Sequence, residues 1–228
     1  MRIPAAWNGI TGLKTTIGRI SVHGVLPLSP TLDTPGPITR GVEDAATLLC
    51  LLQGPDPLDP RTIGYRDCDP WPTLWRGVKG LRFGRLPVAE RRGIDAEVLT
   101  AYDRSVDLLA SLGADIVDLR MPMRFADLGA VNGWIMSAEA YAMLADLVDN
   151  PASPLDEAVR PRVQAGATIS SRDYLTALAV PNGFTAGGLP LSLQIVCRGY
   201  NEAMALRIGW AYQTSTDWQD RVPPMAAS

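Results

Sequence analysis

Gly80-Leu81-Arg82-Phe83-Gly84-Arg85-Leu86, the periodic run from Asp95 to Gly113, and Asp115-Ile116-Val117-Asp118-Leu119 read in succession as strand, helix and strand. Leu81 and Phe83 fall on one face of an extended segment that follows a turn at Gly77 to Gly80. Val98, Tyr102, Ser105 or Val106, Leu109 and Leu112 then recur at helical spacing; Asp95 can cap the helix and Gly113 can end it. A helical crossover of this length joins parallel neighbours, so the unit predicts an α/β fold containing a parallel strand pair.

Upstream, Val42, Ala45, Ala46, Leu49 and Leu52 predict a helix with Gly41 at its N-cap, Asp44 in its first turn and Gly54 as its stop. The prolines of Gly54 to Pro60 rule out helix or central strand and predict a rigid surface loop. Residues 1–40, dense in Gly, Pro, Ser and Thr, read as loops linking short strands, and Met1-Arg2-Ile3-Pro4 resembles the middle of a larger fold. Downstream, Ile135 to Leu147 predicts a second helix carrying Ile135, Ala138, Tyr141, Ala142 and Ala145 toward a core, closed by Asn150-Pro151. Leu191 to Val196 alternates as a strand, Asn201 and Glu202 open a last helix to about Thr214, and residues 222–228 read as a frayed tail.

Composition bounds the function. The chain has 228 residues, 46% hydrophobic and 20% charged, within the globular range, with 21 glycines and 19 prolines pointing to many turns. A net charge of -3 and no basic stripe give a nucleic-acid partner little support. No run is long enough to span a bilayer, and no signal-like apolar segment opens the sequence, so a cytoplasmic, membrane-free protein is expected. Three separated cysteines, Cys50, Cys68 and Cys197, and one histidine, His23, suggest neither a disulfide framework nor a metal site, and no cofactor is implied. His23 sits in a Ser-x-His-Gly turn, where a surface or packing role is expected.

Several strings are more specific than any periodicity. Arg2-Ile3-Pro4-Ala5 is followed by Trp7 to Lys14, Gly18-Arg19-Ile20-Ser21, and an Asp-x-x-Gly-Pro-x-x-Arg block at Asp33 to Arg40. Ser137-Ala138-Glu139-Ala140, Pro181-Asn182-Gly183-Phe184 and Leu193-Gln194-Ile195-Val196 continue the series. In this order they resemble the amidase signature family. The resemblance implies a partial amidase-signature fold, a mixed β-sheet flanked by helices, in one incomplete domain over residues 1–228.

It also implies hydrolysis of a linear carboxamide to a carboxylate and ammonia, or delivery of that ammonia as in the glutamyl-tRNA amidotransferase branch, through a Ser, cis-Ser, Lys triad. A neutral buried lysine draws the proton from the nucleophilic serine through the bridging serine, and backbone N–H groups stabilise the oxyanion. In the resemblance the nucleophile precedes Arg2 by two positions and the other two members lie farther upstream, so no catalytic residue is assigned within this chain. Lys14 matches a separate position, with a structural role expected. A second departure lies near residues 176–180, where Thr176-Ala177-Leu178-Ala179 joins directly to Val180-Pro181 and several dozen family residues have no counterpart. Arg162 is the one substrate-binding candidate, matching a region where relatives hold a carboxylate with a guanidinium; a surface ion pair is the alternative. Arg2 and Asp33 are expected to support the triad loop. Small-molecule amides are the expected ligands of intact relatives, and a homo-oligomer through exposed sheet edges is the expected alternative behaviour.

Overall fold

The computed structural model describes residues 1–64, 66–120, 124–178, 195–197 and 199–216. In chain order these form α1 (Arg2–Trp7), β1 (Thr11–Gly12), β2 (Ile38–Thr39), α2 (Val42–Leu52), α3 (Trp71–Leu74), β3 (Arg82–Arg85), α4 (Ala96–Ser111), β4 (Asp115–Asp118), α5 (Phe125–Val148), α6 (Val159–Gln164), α7 (Ser171–Leu178) and α8 (Glu202–Gln213). They divide between two compact units. One holds the described residues of Met1–His23, Thr34–Arg120 and Gly188–Ser228; the other holds those of Gly24–Asp33 and Met121–Gly187.

In the first unit the strand-helix-strand reading holds. β3 and β4 pair in parallel, Arg82 beside Asp115 and Arg85 beside Asp118, with α4 as the crossover. The Asp95 carboxylate accepts from the Glu97 N–H, satisfying a donor that the first helical turn leaves orphaned. β1 and β2 form a second, antiparallel pair. Helix α2 starts after Gly41 as expected, and Val42, Ala45, Ala46 and Leu49 pack with Leu13, Leu74 and Leu206. A second cluster gathers Val78, Leu109, Ile208 and Ala211, with Leu81, Phe83 and Ile116 against it. Leu206 and Ile208 lie about 200° apart around α8, so this helix serves both clusters from opposite sides. Each fully buried leucine or isoleucine contributes roughly 1.5–3 kcal/mol.

In the second unit α5 packs on α6 and α7. Ala140, Val148 and Val163 form its core, with Tyr141, Leu144 and Leu155 around them. The Arg160 guanidinium donates to the carbonyls of Val148, Asn150 (2.9 Å) and Ser153 (2.8 Å), closing the C-terminal end of α5 with the charge its dipole favours.

Three expectations change. The opening residues are not only loop, since Arg2 to Trp7 form a helical turn and a half whose Ala5 is buried. Helix α5 begins at Phe125, ten residues before the periodic run, and buries Glu139 and Ala140 while Ala142 is exposed. Gly129 and Gly133 dilute the apolar signal of the extra turns, and a buried carboxylate breaks the simple stripe. The proline loop and the turn that follows it carry two buried polar residues, Asp59 and Thr62. Asp59 accepts from the Val22 N–H (2.9 Å) and from Arg61 (2.9 Å), so polar bonds rather than apolar contacts anchor the loop. Residues 191–194 of the expected strand and the tail 222–228 lie outside the described residues, and 195–197 carry no regular structure.

Candidate functional site

The residues carrying the resemblance nearest the expected chemistry are Arg2, Lys14, Thr34 and Gly36. Leu13 donates to the Pro37 carbonyl (3.0 Å) beside the β1–β2 pair, which brings the chain after β1 against the Thr34 to Pro37 segment. The approach is close enough to require glycine. A Cβ on Gly36 would run into the Leu13 carbonyl, and one on Gly12 would meet Ala5 Cβ at 2.7 Å and the Met1 carbonyl at 2.9 Å.

Lys14 Nζ donates to Thr34 Oγ1 at 3.3 Å. Burial, and then the neighbouring Arg2 charge, hold the Lys14 ammonium below its ordinary pKa, and burial lowers Arg2 likewise. A lowered lysine is what a general base needs, but its partner here is a threonine hydroxyl. The only other lysine is Lys79, and neither lysine donates to a serine among the described residues.

The Asp33 carboxylate, in the second unit, accepts from the N–H groups of Leu28 (2.9 Å) and Ser29 (3.1 Å), shaping its own turn. Arg162 lies exposed on α6 and makes no hydrogen bond or ion pair among the described residues. Its neighbour Arg160 is wholly engaged at the end of α5. Within one Arg-Pro-Arg string, one guanidinium is committed to structure and the other is exposed. His23 is exposed, its backbone N–H bonded to Ser21 Oγ (3.0 Å). Cys197 packs against the second core cluster, and burial raises its thiol pKa, as for a buried thiol of low reactivity. Among the described residues no group of three ligands could hold a metal, and no helix is long and apolar enough to cross a membrane.

Sequence reasoning missed two buried, hydrogen-bonded acids, Glu202 and Glu139. Glu202 accepts from the Thr16 N–H (2.9 Å) and from Arg19 (3.3 Å), and is buried with it. Glu139 accepts from Ser29 Oγ (2.6 Å), Thr31 N–H (3.1 Å), Thr31 Oγ1 (2.6 Å) and Tyr174 OH (2.7 Å). A single carboxylate inside the apolar run from Ile135 to Ala145 was the available signal for Glu139.

Comparison with known proteins agrees with the ordered strings. A family model described as Amidase matches residues 1–174, and the chain belongs to that family. It is 37% identical to an amidase of Pseudomonas putida over 185 residues, covering 79% of this chain and 39% of that protein. It is 27% identical to a glutamyl-tRNA(Gln) amidotransferase subunit of Gloeobacter violaceus over 311 residues, covering all of this chain and 63% of that protein. The chain therefore spans less than two thirds of the length of these relatives. The structure of the native peptide amidase from Stenotrophomonas maltophilia superposes with a TM-score of 0.73 at 21% identity, over 98% of this chain and 61% of that one, a likeness of fold.

Proposed function

We propose that this chain is part of an enzyme that hydrolyses a linear carboxamide to a carboxylate and ammonia, and that residues 1–228 by themselves do not carry the reaction. In the reaction a serine hydroxyl adds to the amide carbonyl, the tetrahedral intermediate expels ammonia, and water cleaves the acyl-serine ester to the carboxylate. The family match over residues 1–174 supports the chemistry. The observation that supports the second half is that neither of the two lysines, Lys14 and Lys79, donates to a serine among the described residues, as the lysine of a Ser, cis-Ser, Lys triad would.

The same reading takes a family segment near residues 176–180 to be absent. The Gloeobacter alignment runs over 311 positions against 228 residues here, whereas the Pseudomonas alignment uses 185 positions for 79% of the chain. An alignment longer than the chain is what such an absent segment would produce. Arg162, exposed and unengaged, is the residue we assign to a substrate carboxylate, and the cytoplasm is the compartment that suits three unpaired thiols.

The test is a serine-directed fluorophosphonate probe on the purified 228-residue chain, with ammonia release from linear carboxamides measured alongside. No labelling and no ammonia are expected. Stoichiometric labelling with ammonia release would overturn the claim that these residues lack a working nucleophile. A second reading, a non-catalytic module that self-associates, is favoured by the two-stranded β3–β4 pair, whose outer edges meet no further strand among the described residues. It requires a concentration-dependent oligomer in sedimentation velocity, and a monomer at all concentrations excludes it.

A further inference from the structure

We propose that residues 24–33 form a strap fastened to helix α5 by the Glu139 carboxylate, and that the strap opens locally, with α5 and α6 still folded, once that carboxylate is lost. The strap is a preformed turn. The Asp33 carboxylate holds the Leu28 and Ser29 N–H groups, and the Leu32 and Asp33 N–H groups bond back to the Ser29 carbonyl. Pro27 and Pro30 stiffen it further.

Its hold on the rest of the unit is polar. Three of the four bonds Glu139 receives come from Ser29 and Thr31, and the fourth comes from Tyr174 on α7. Pro30 and Leu32 make further contacts. Three of its apolar side chains are largely exposed, however: Val25, Leu26 and Leu28 at 52%, 76% and 42%, and none joins the core of Ala140, Val148 and Val163. A segment with little apolar burial and a few strong polar ties has a lower opening free energy than the helices it lies on. Those helices keep their apolar core and the Arg160 closure whatever happens at Glu139. The strap thus carries three exposed apolar side chains on a movable mount, and Glu139 sets how firmly it is held.

Residue-resolved amide exchange on the intact chain tests this, comparing the native sequence with Glu139→Gln and with the double variant Ser29→Ala, Thr31→Val. In both variants the Thr31 amide should exchange roughly ten- to a hundredfold faster, the equivalent of one or two charge-assisted hydrogen bonds. The Leu32 and Asp33 amides, bonded within the strap, should change less, and amides of α5 and α6 should keep their protection. Unchanged Thr31 exchange in both variants, or an equal loss of protection across residues 125–164, overturns the proposal. Should Glu139→Gln fail to fold, the double variant decides, because it removes the two hydroxyl ties and leaves the carboxylate bonded to Tyr174 and to the position-31 N–H.

Discussion

Glu202 in the first unit and Glu139 in the second are both buried, 4% and 7% exposed, and both are held below the ordinary carboxylate pKa by opposite kinds of partner. Burial works against ionisation in each case and is the largest influence in each. At Glu202 it is outweighed by bonds from Thr16 and the Arg19 charge, at Glu139 by hydroxyls of Ser29, Thr31 and Tyr174 and the Thr31 N–H. The first is an ion pair, 3.3 Å apart with both partners nearly dry, and Arg19 is further fixed by the Arg66 carbonyl and the Tyr200 ring, 5.6 Å from its centre. Tyr200 itself adopts a left-handed φ of 61°, with its N–H donating to Thr16 Oγ1. The second is a neutral cage around one charge. Removing a member of an ion pair strands a bare charge in the interior, whereas loosening a hydroxyl cage frees groups that water can satisfy.

The largest effect should follow from Arg19→Met. Leaving Glu202 buried without its cation should cost about 3–5 kcal/mol in urea denaturation, against about 1–3 kcal/mol for Glu139→Gln. A reversed order would dissolve the contrast between pair and cage.

Acid sharpens it. Because both folded pKa values lie below the ordinary 4.5, both groups stabilise the fold above that pH, and their contribution is lost as pH falls through the folded values. Thermal melts between about pH 3 and 7 should show a plateau that falls on the acid side. In Arg19→Met the acid-side fall should shrink, since Glu202 without its cation has a folded pKa closer to the ordinary value and less stability to lose; an unchanged acid limb would mean the pair does not set it.

The smallest effect belongs to the exposed pair Arg85–Asp118, 2.8 Å apart across β3 and β4. Asp118→Asn should leave the melting temperature unchanged within error, because solvent already screens this pair. A drop comparable to that of Glu139→Gln would contradict the weight placed on burial.

The strand-helix-strand unit was legible because each of its signals is local: Asp95, the stripe ending at Leu112, and Gly113 need no distant partner. Helix α2 and α8 were legible for the same reason. The start of α5 was not, since residues 125–134 carry two glycines and gain their helical state from packing rather than propensity. Nor were α1 or the buried polar loop at Asp59, whose stability rests on contacts with residues far along the chain. At the candidate site, Lys14 and Arg162 could be named from strings alone, but their partners could not. One of them meets Thr34, twenty positions away, and the other makes no side-chain hydrogen bond or ion pair among the described residues.

By itself the sequence determined the family, the α/β class and the residues worth watching, because hydrophobic period, caps and motif order are written along the chain. Tertiary structure alone decided which acids are buried. A carboxylate in a helix is solvated or caged according to what folds over it, and Ser29, Thr31 and Tyr174 reach Glu139 from 110, 108 and 35 positions away.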